Sequence, residues 1–160
     1  MKIHLLQCTQ ILPTSLPQAW DFFSSPANLP LITPPSLGFR ITSALPERMY
    51  PGMLVTYTVT PFPLVRCTWV TEITHVDEPR FFVDEQRFGP YRLWHHEHHF
   101  REVPGGVEMT GRVSYALPLG LLGDLAAGAL VERRLAGIFG FRREILSRRI
   151  WGPPQPHPEV

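Results

Sequence analysis

From residue 53 onward, apolar and polar positions alternate with a period of two. Met53, Val55, Tyr57 and Val59 alternate with Leu54, Thr56, Thr58 and Thr60. Val65, Cys67, Trp69, Thr71 and Ile73 alternate with a mostly polar set. Val107, Met109, Gly111, Val113 and Tyr115 alternate with Glu108, Thr110, Arg112 and Ser114. Successive side chains of a strand point to opposite faces, so the pattern predicts antiparallel strands with one covered and one wet face. Pro61-Phe62-Pro63, Asp77-Glu78-Pro79, Gly89-Pro90 and Pro104-Gly105-Gly106 separate the runs and predict consecutive hairpins.

The flanks read differently. Residues 2 to about 11 predict a strand that ends before Pro13. Ser15 then stands three residues before Gln18, the spacing of a capping box, and Leu16, Ala19, Trp20 and Phe23 form one apolar helix face. Pro26 opens a second short helix through Leu29, and Pro30, Pro34 and Pro35 end it. Leu121 to Ile150 contains no proline; Val131, Leu135, Ile138, Phe139, Ile145 and Leu146 fall at helical spacing. Such a helix would be ~45 Å long. Arg133, Arg134, Arg142, Arg143, Arg148 and Arg149 line most of its remainder and, interleaved with Glu132 and Glu144, read as a solvated face. Attraction to an acidic head group or a membrane surface is the alternative. Gly137 and Gly140 mark either bends or a close approach to the sheet that leaves room for a ligand. A sheet with one covered face needs a large cover, and the last helix is the element of adequate size. The expected class is α+β: a curved antiparallel sheet wrapped around a long C-terminal helix, with two short helices after the first strand.

With 160 residues, 44% hydrophobic and 18% charged, the chain suits one globular domain, placed at 1–151. Prolines at 153, 154, 156 and 158 set off residues 152–160 as a disordered tail. A net charge of +1 offers no bulk field for nucleic acid or an anionic membrane. No long uncharged apolar run and no signal peptide are evident, so stable membrane insertion is not expected and the compartment is expected to be the cytoplasm. Cys8 and Cys67 read as buried free thiols in that reducing setting. The expected state is a monomer or weak homodimer.

The element order is similar to the helix-grip fold of the START and birch-pollen-allergen superfamily, also called SRPBCC. The resemblance is carried by residues 20–29 (Trp20-Asp21-Phe22-Phe23-Ser24-Ser25-Pro26-Ala27-Asn28-Leu29) and by Ile32-Thr33-Pro34-Pro35. It continues in Phe82-Val83-Asp84-Glu85-Gln86 with Gly89-Pro90-Tyr91, in Trp94-His95-His96-Glu97-His98, and in Tyr115-Ala116-Leu117-Pro118-Leu119-Gly120. Together these look like a bacterial branch of the superfamily, over about residues 3 to 150. The resemblance implies a lipid, sterol, polyketide or other apolar molecule held between sheet and helix, or a cyclase, aromatase or dehydratase activity. Relatives of this branch often carry acidic residues where this chain has Gly111 and Ser114, which weakens the case for acid/base catalysis.

The strand Trp94-His95-His96-Glu97-His98-His99-Phe100 holds the most unusual local chemistry. Period two puts Trp94, His96, His98 and Phe100 on one face, and the two large apolar residues mark it as covered. Inward His96 and His98 have four readings. They are polar wall residues of a ligand cavity, general acid/base groups, metal ligands, or structural core histidines. The spacing to Glu102 gives His-x-His-x-x-x-Glu, but no second metal motif follows, and no metal or other cofactor is expected. Asp84 and Gln86 share one face of the preceding strand. The resemblance favours that face as inward, which would let Asp84 fix an imidazole tautomer. Tyr57, Trp69, Met109, Tyr115 and Phe139 are further candidate contacts, with Phe22, Phe39, Met53, Val55, Val113 and Ile138 as additional apolar lining.

No phosphate-binding loop, dinucleotide fingerprint, nucleophile elbow or RNA-binding aromatic signature is present. The leading expectation is a binding protein for an apolar small molecule or lipid. The alternatives are a polyketide cyclase/dehydratase-like enzyme using His96, His98 and Asp84, and a non-catalytic adaptor domain.

Overall fold

The protein is described by a computed structural model covering residues 2–62, 65–118 and 121–152. Strand β1 (His4–Leu12) leads into helix α1 (Leu16–Phe23), then two 3-10 segments, Pro26–Ile32 and Pro35–Leu37. Six strands follow: β2 (Arg40–Ile41), β3 (Met53–Phe62), β4 (Val65–Asp77), β5 (Phe81–Phe88), β6 (Leu93–Val103) and β7 (Gly106–Ala116). Helix α2 (Leu121–Ile145) and a π-helical turn at Leu146–Ile150 complete the order. The expected count of strands after the helices is met. The expected unbroken α-helix to 150 is not, because the last five residues widen into the π turn.

The seven strands form one curved antiparallel sheet in the order β1-β7-β6-β5-β4-β3-β2. Neighbours from β2 to β7 are joined in sequence, so the hairpins read from the turn residues are the sheet itself. The β6–β7 turn needs glycine: Gly106 has φ +142°, and a Cβ there would lie 2.0 Å from the Leu12 carbonyl oxygen. β1 closes the other side by pairing with β7, His4 opposite Tyr115 and Leu12 opposite Val107.

Helix α1 begins as its sequence directs. The Ser15 side chain accepts from the Gln18 backbone N–H and the Gln18 side chain accepts from the Ser15 N–H, each at 3.4 Å. The buried side chains of α1, Ala19, Trp20 and Phe23, pack on one end of the sheet's covered face. There Trp20 sits edge-on to Phe82 and Phe100, with centroids 6.0 Å away in each case.

Helix α2 covers the rest. Its buried residues Val131, Leu135 and Phe139, together with Leu146 in the following turn, lie on one stripe. Gly137 and Gly140 lie on the exposed side, where an added Cβ would meet nothing within 4 Å. Neither brings the helix close to the sheet, and α2 runs unbroken through both.

Two packed clusters result, one around Leu12, Trp20, Met53 and Leu146 and one around Val113, Tyr115, Val131 and Leu135. The expectation of buried free thiols is met only halfway: Cys8 and Cys67 are free, but both are half-exposed. No helix among the described residues is long and apolar enough to cross a membrane. Residues 153–160, most of the expected proline-rich tail, lie outside the described residues.

Candidate functional site

Between sheet and helix lies a cavity of about 450 Å³. The first cluster contributes Phe23, Ile32, Val55, Ile73 and Phe82 to its wall, and the second contributes Leu117, Val131, Leu135 and Phe139. Tyr57, Trp69, Tyr91 and Trp94 form an aromatic side: Trp69 stacks on Tyr57 at 5.8 Å and meets Trp94 edge-on at 5.3 Å. The volume falls within the range of small-molecule pockets, and the wall is mostly apolar with a few polar groups, as such sites are.

The polar groups gather where β5 and β6 face each other. The register puts Asp84 opposite His96 and Phe82 opposite His98. Both histidines are buried, at 5% and 6% exposure. One Asp84 oxygen, Oδ2, lies 2.7 Å from His98 Nε2 and 3.3 Å from His96 Nδ1. A carboxylate can only accept, so each ring donates: His98 as the Nε2–H tautomer, His96 through Nδ1–H. Burial alone would raise the Asp84 carboxyl, but its contacts with His96 and His98 outweigh this and hold it well below the usual carboxylate range. Burial, reinforced by His96 and Arg142, drives His98 down to about 3 against the pull of Asp84, so this ring is neutral at pH 7. Its face stacks on Phe82 at 4.1 Å. The Tyr57 hydroxyl lies 2.8 Å from Thr71 Oγ1, and burial pushes its pKa up so that it stays protonated.

Asp84, His96 and His98 are also the one group among the described residues that could hold a metal ion, with donor atoms within 4.8 Å of one another. Two imidazoles and a carboxylate suit a transition metal. Arg142 opposes one, because its guanidinium acts electrostatically on both Asp84 and His98.

Of the expected contacts, Asp84, Trp94, His96, His98, Tyr57, Trp69 and Phe139 line the cavity, as do Phe22, Phe39, Val55 and Ile138. Others are placed elsewhere. Phe100 packs against Phe23 at 5.3 Å in the α1 cluster. Met109 belongs to that same cluster, and Met53 and Val113 are plain core. Tyr115 is stacked on His4 at 5.1 Å behind Tyr91. Gln86 closes the β5–β6 turn: its Nε2 donates to the Tyr91 carbonyl at 2.6 Å and its Oε1 accepts from the Tyr91 N–H at 3.2 Å.

The wholly solvated helix face is corrected as well. Arg134 and Arg142 both line the cavity. Arg142 lies over the Phe139 ring at 5.2 Å. Burial lowers its pKa, while Asp84, Cys8 and Tyr57 act the other way. Its position was readable: Leu135, Phe139, Arg142 and Leu146 follow the spacing of a single inward stripe.

Five buried side-chain atoms meet no hydrogen-bonding partner among the described residues: Trp69 Nε1, His96 Nε2, His98 Nδ1, Arg134 Nε and Arg142 Nε. All five belong to residues that line this one cavity. Buried polar atoms are ordinarily paired, so their concentration here marks a place where something else supplies the partners. Gly111 lies behind His96: a Cβ there would make ordinary contact with His96 Nε2 at 3.4 Å and with Phe139 at 3.8 Å.

No family model matches the chain, and no curated protein matches it. Solved structures do. Protein Ms6760 from Mycobacterium smegmatis is 24% identical, with 89% of this chain and 90% of that chain covered and a TM-score of 0.63. Ginseng major latex-like protein 151 from Panax ginseng is 15% identical over 88% of this chain and 95% of that one, at 0.61. A nucleoside-diphosphate sugar epimerase from Corynebacterium glutamicum is 21% identical over 88% of this chain but only 28% of its own, at 0.62. Sheet order, covering helix and these likenesses agree: the chain has the helix-grip fold of the birch-pollen-allergen-like proteins.

Proposed function

We propose that the protein binds an apolar small molecule or lipid in the cavity between the sheet and α2, for transport or sequestration. The observation that carries this reading is the cavity itself. It has about 450 Å³ of space, an apolar and aromatic wall, and five unpartnered polar atoms on its lining residues. A ligand that fills an apolar space of this size gains dispersion contacts along the whole wall. Native mass spectrometry of protein purified from its own host, followed by solvent extraction, tests it. A stoichiometric apolar compound is expected. A clean unliganded mass, with no shift on adding a panel of lipids and polyketide-like compounds, would sink the reading.

One observation favours a second reading, general-base catalysis of the cyclase/dehydratase kind. Asp84 holds His98 in the tautomer that leaves the Nδ1 lone pair buried and unpartnered in a residue of the cavity wall. A neutral imidazole so oriented can take an α-proton from a bound substrate, but burial holds its conjugate acid at about 3, so it is a weak base and only a strongly acidified C–H, such as that between two carbonyls, suits it. On this reading the protein accelerates deuterium exchange at the central carbon of a long-chain β-diketone in D2O, and His98→Gln abolishes the acceleration. Equal exchange rates with the two proteins would leave the histidines a binding role only.

A further inference from the structure

The cavity does not end at its apolar wall. Arg134, Ile138 and Leu37 line it and also line an outer groove whose other residues include Leu130, Arg133 and Gly137. Leu130, Arg133 and Gly137 are exposed, so the groove is on the surface. Arg134 therefore stands in the partition between the interior and the outside.

Its charge is not balanced there. Among the residues lining the cavity, Asp84 is the only carboxylate, and Arg134 and Arg142 are the cations. Asp84 acts electrostatically on Arg142. No acidic residue lines the outer groove, where Arg133 stands beside Arg134. Arg134 makes no hydrogen bond or ion pair with a described residue, and its Nε is buried. Guanidinium and indole carry donors and no acceptor. The missing partner of Arg134 is therefore an acceptor, and a negative one suits a half-buried cation best.

We infer that the ligand is an amphiphile with one anionic end, a carboxylate or a phosphate monoester, held by Arg134 at the partition while its apolar body fills the cavity. This rests on the reading of the cavity as a binding site. Arg142, beside Asp84, then faces the neutral, buried part of the ligand. Arg133 adds attraction from the exposed side of the groove.

The test compares dissociation constants for dodecanoate, dodecyl phosphate and dodecanol, which share one chain and differ at the head. The quantity read is the ratio of the alcohol's constant to that of each anion. For the unaltered protein a ratio on the order of ten or more is expected, the size of a charge-assisted hydrogen bond. The larger of the two anion ratios identifies the head group as carboxylate or phosphate. Arg134→Gln brings both ratios close to one, Arg134→Lys restores much of them, and Arg149→Gln, exposed in the Leu146–Ile150 turn, keeps them. A ratio near one in the unaltered protein, or one that Arg134→Gln leaves in place, overturns the inference and leaves the cavity reading standing. Failure of all three compounds to bind, with nothing extracted from the native protein, overturns both.

Discussion

Asp84→Ala is expected to lower the unfolding free energy by about 3–5 kcal/mol, read as a drop in the urea midpoint at unchanged slope. The carboxylate is the shared acceptor for two rings that are almost completely buried. Without it, His96 Nδ1–H and His98 Nε2–H lose their acceptor, and a buried donor left unmade costs about 1–3 kcal/mol. Arg142 also loses the negative charge that offsets its burial. Asp84→Asn keeps one acceptor oxygen and should lose less. A loss under about 1 kcal/mol for the alanine variant would mean that water already serves these rings, and the ordered network described above would be wrong.

The second large effect is a fall in stability with acid that belongs to His98. Its pKa drops from 6.5 to about 3 on folding. The unfolded chain therefore binds the proton that the folded one refuses, and stability falls as pH falls from 6.5 toward 3. Between pH 6.5 and 4 this amounts to on the order of 3 kcal/mol. Asp84 adds a separate loss at lower pH. Its folded pKa is depressed, so its contribution is complete above the unfolded value near 3.8 and disappears as pH drops through the folded one. His98→Gln preserves a donor at the position of Nε2 and cannot titrate. Urea midpoints taken between pH 7 and 4 should therefore slope less in the variant. Identical slopes would show that His98 is not neutral and shielded in the native state.

The sequence made the sheet legible because alternation fixes the face a side chain takes. Trp94, His96, His98 and Phe100 do share the covered face, and Asp84 does point inward. Alternation does not fix how far along the strand the cavity extends. At one end the covered face is already filled by Trp20 and Phe23 of α1, so Phe100 and Met109 became core rather than ligand wall. Gln86 has the right face and the wrong end: it lies beside the turn, and the Tyr91 backbone engages it. The arginines were misread for another reason. Composition favours water for them, yet the helical spacing that placed Leu135, Phe139 and Leu146 inward also placed Arg142 there. The cap of α1 was fully legible, because two side chains four positions or fewer apart decide it.

The position of β1 at the margin of the sheet bears on how concentrated the protein can be made. Its nine residues pair on one side only, with β7. Their outward row is apolar at Leu5 and Ile11, each more than half exposed, and Ile3 continues the row. The opposite margin is the two-residue β2, too short to template anything. Chains crowded together therefore meet first along β1, where a sheet edge and greasy side chains coincide. A lysine in place of Leu5 would blunt that margin from the outward row, the face turned away from the cavity, and it is the substitution to make before any crystallisation or long storage.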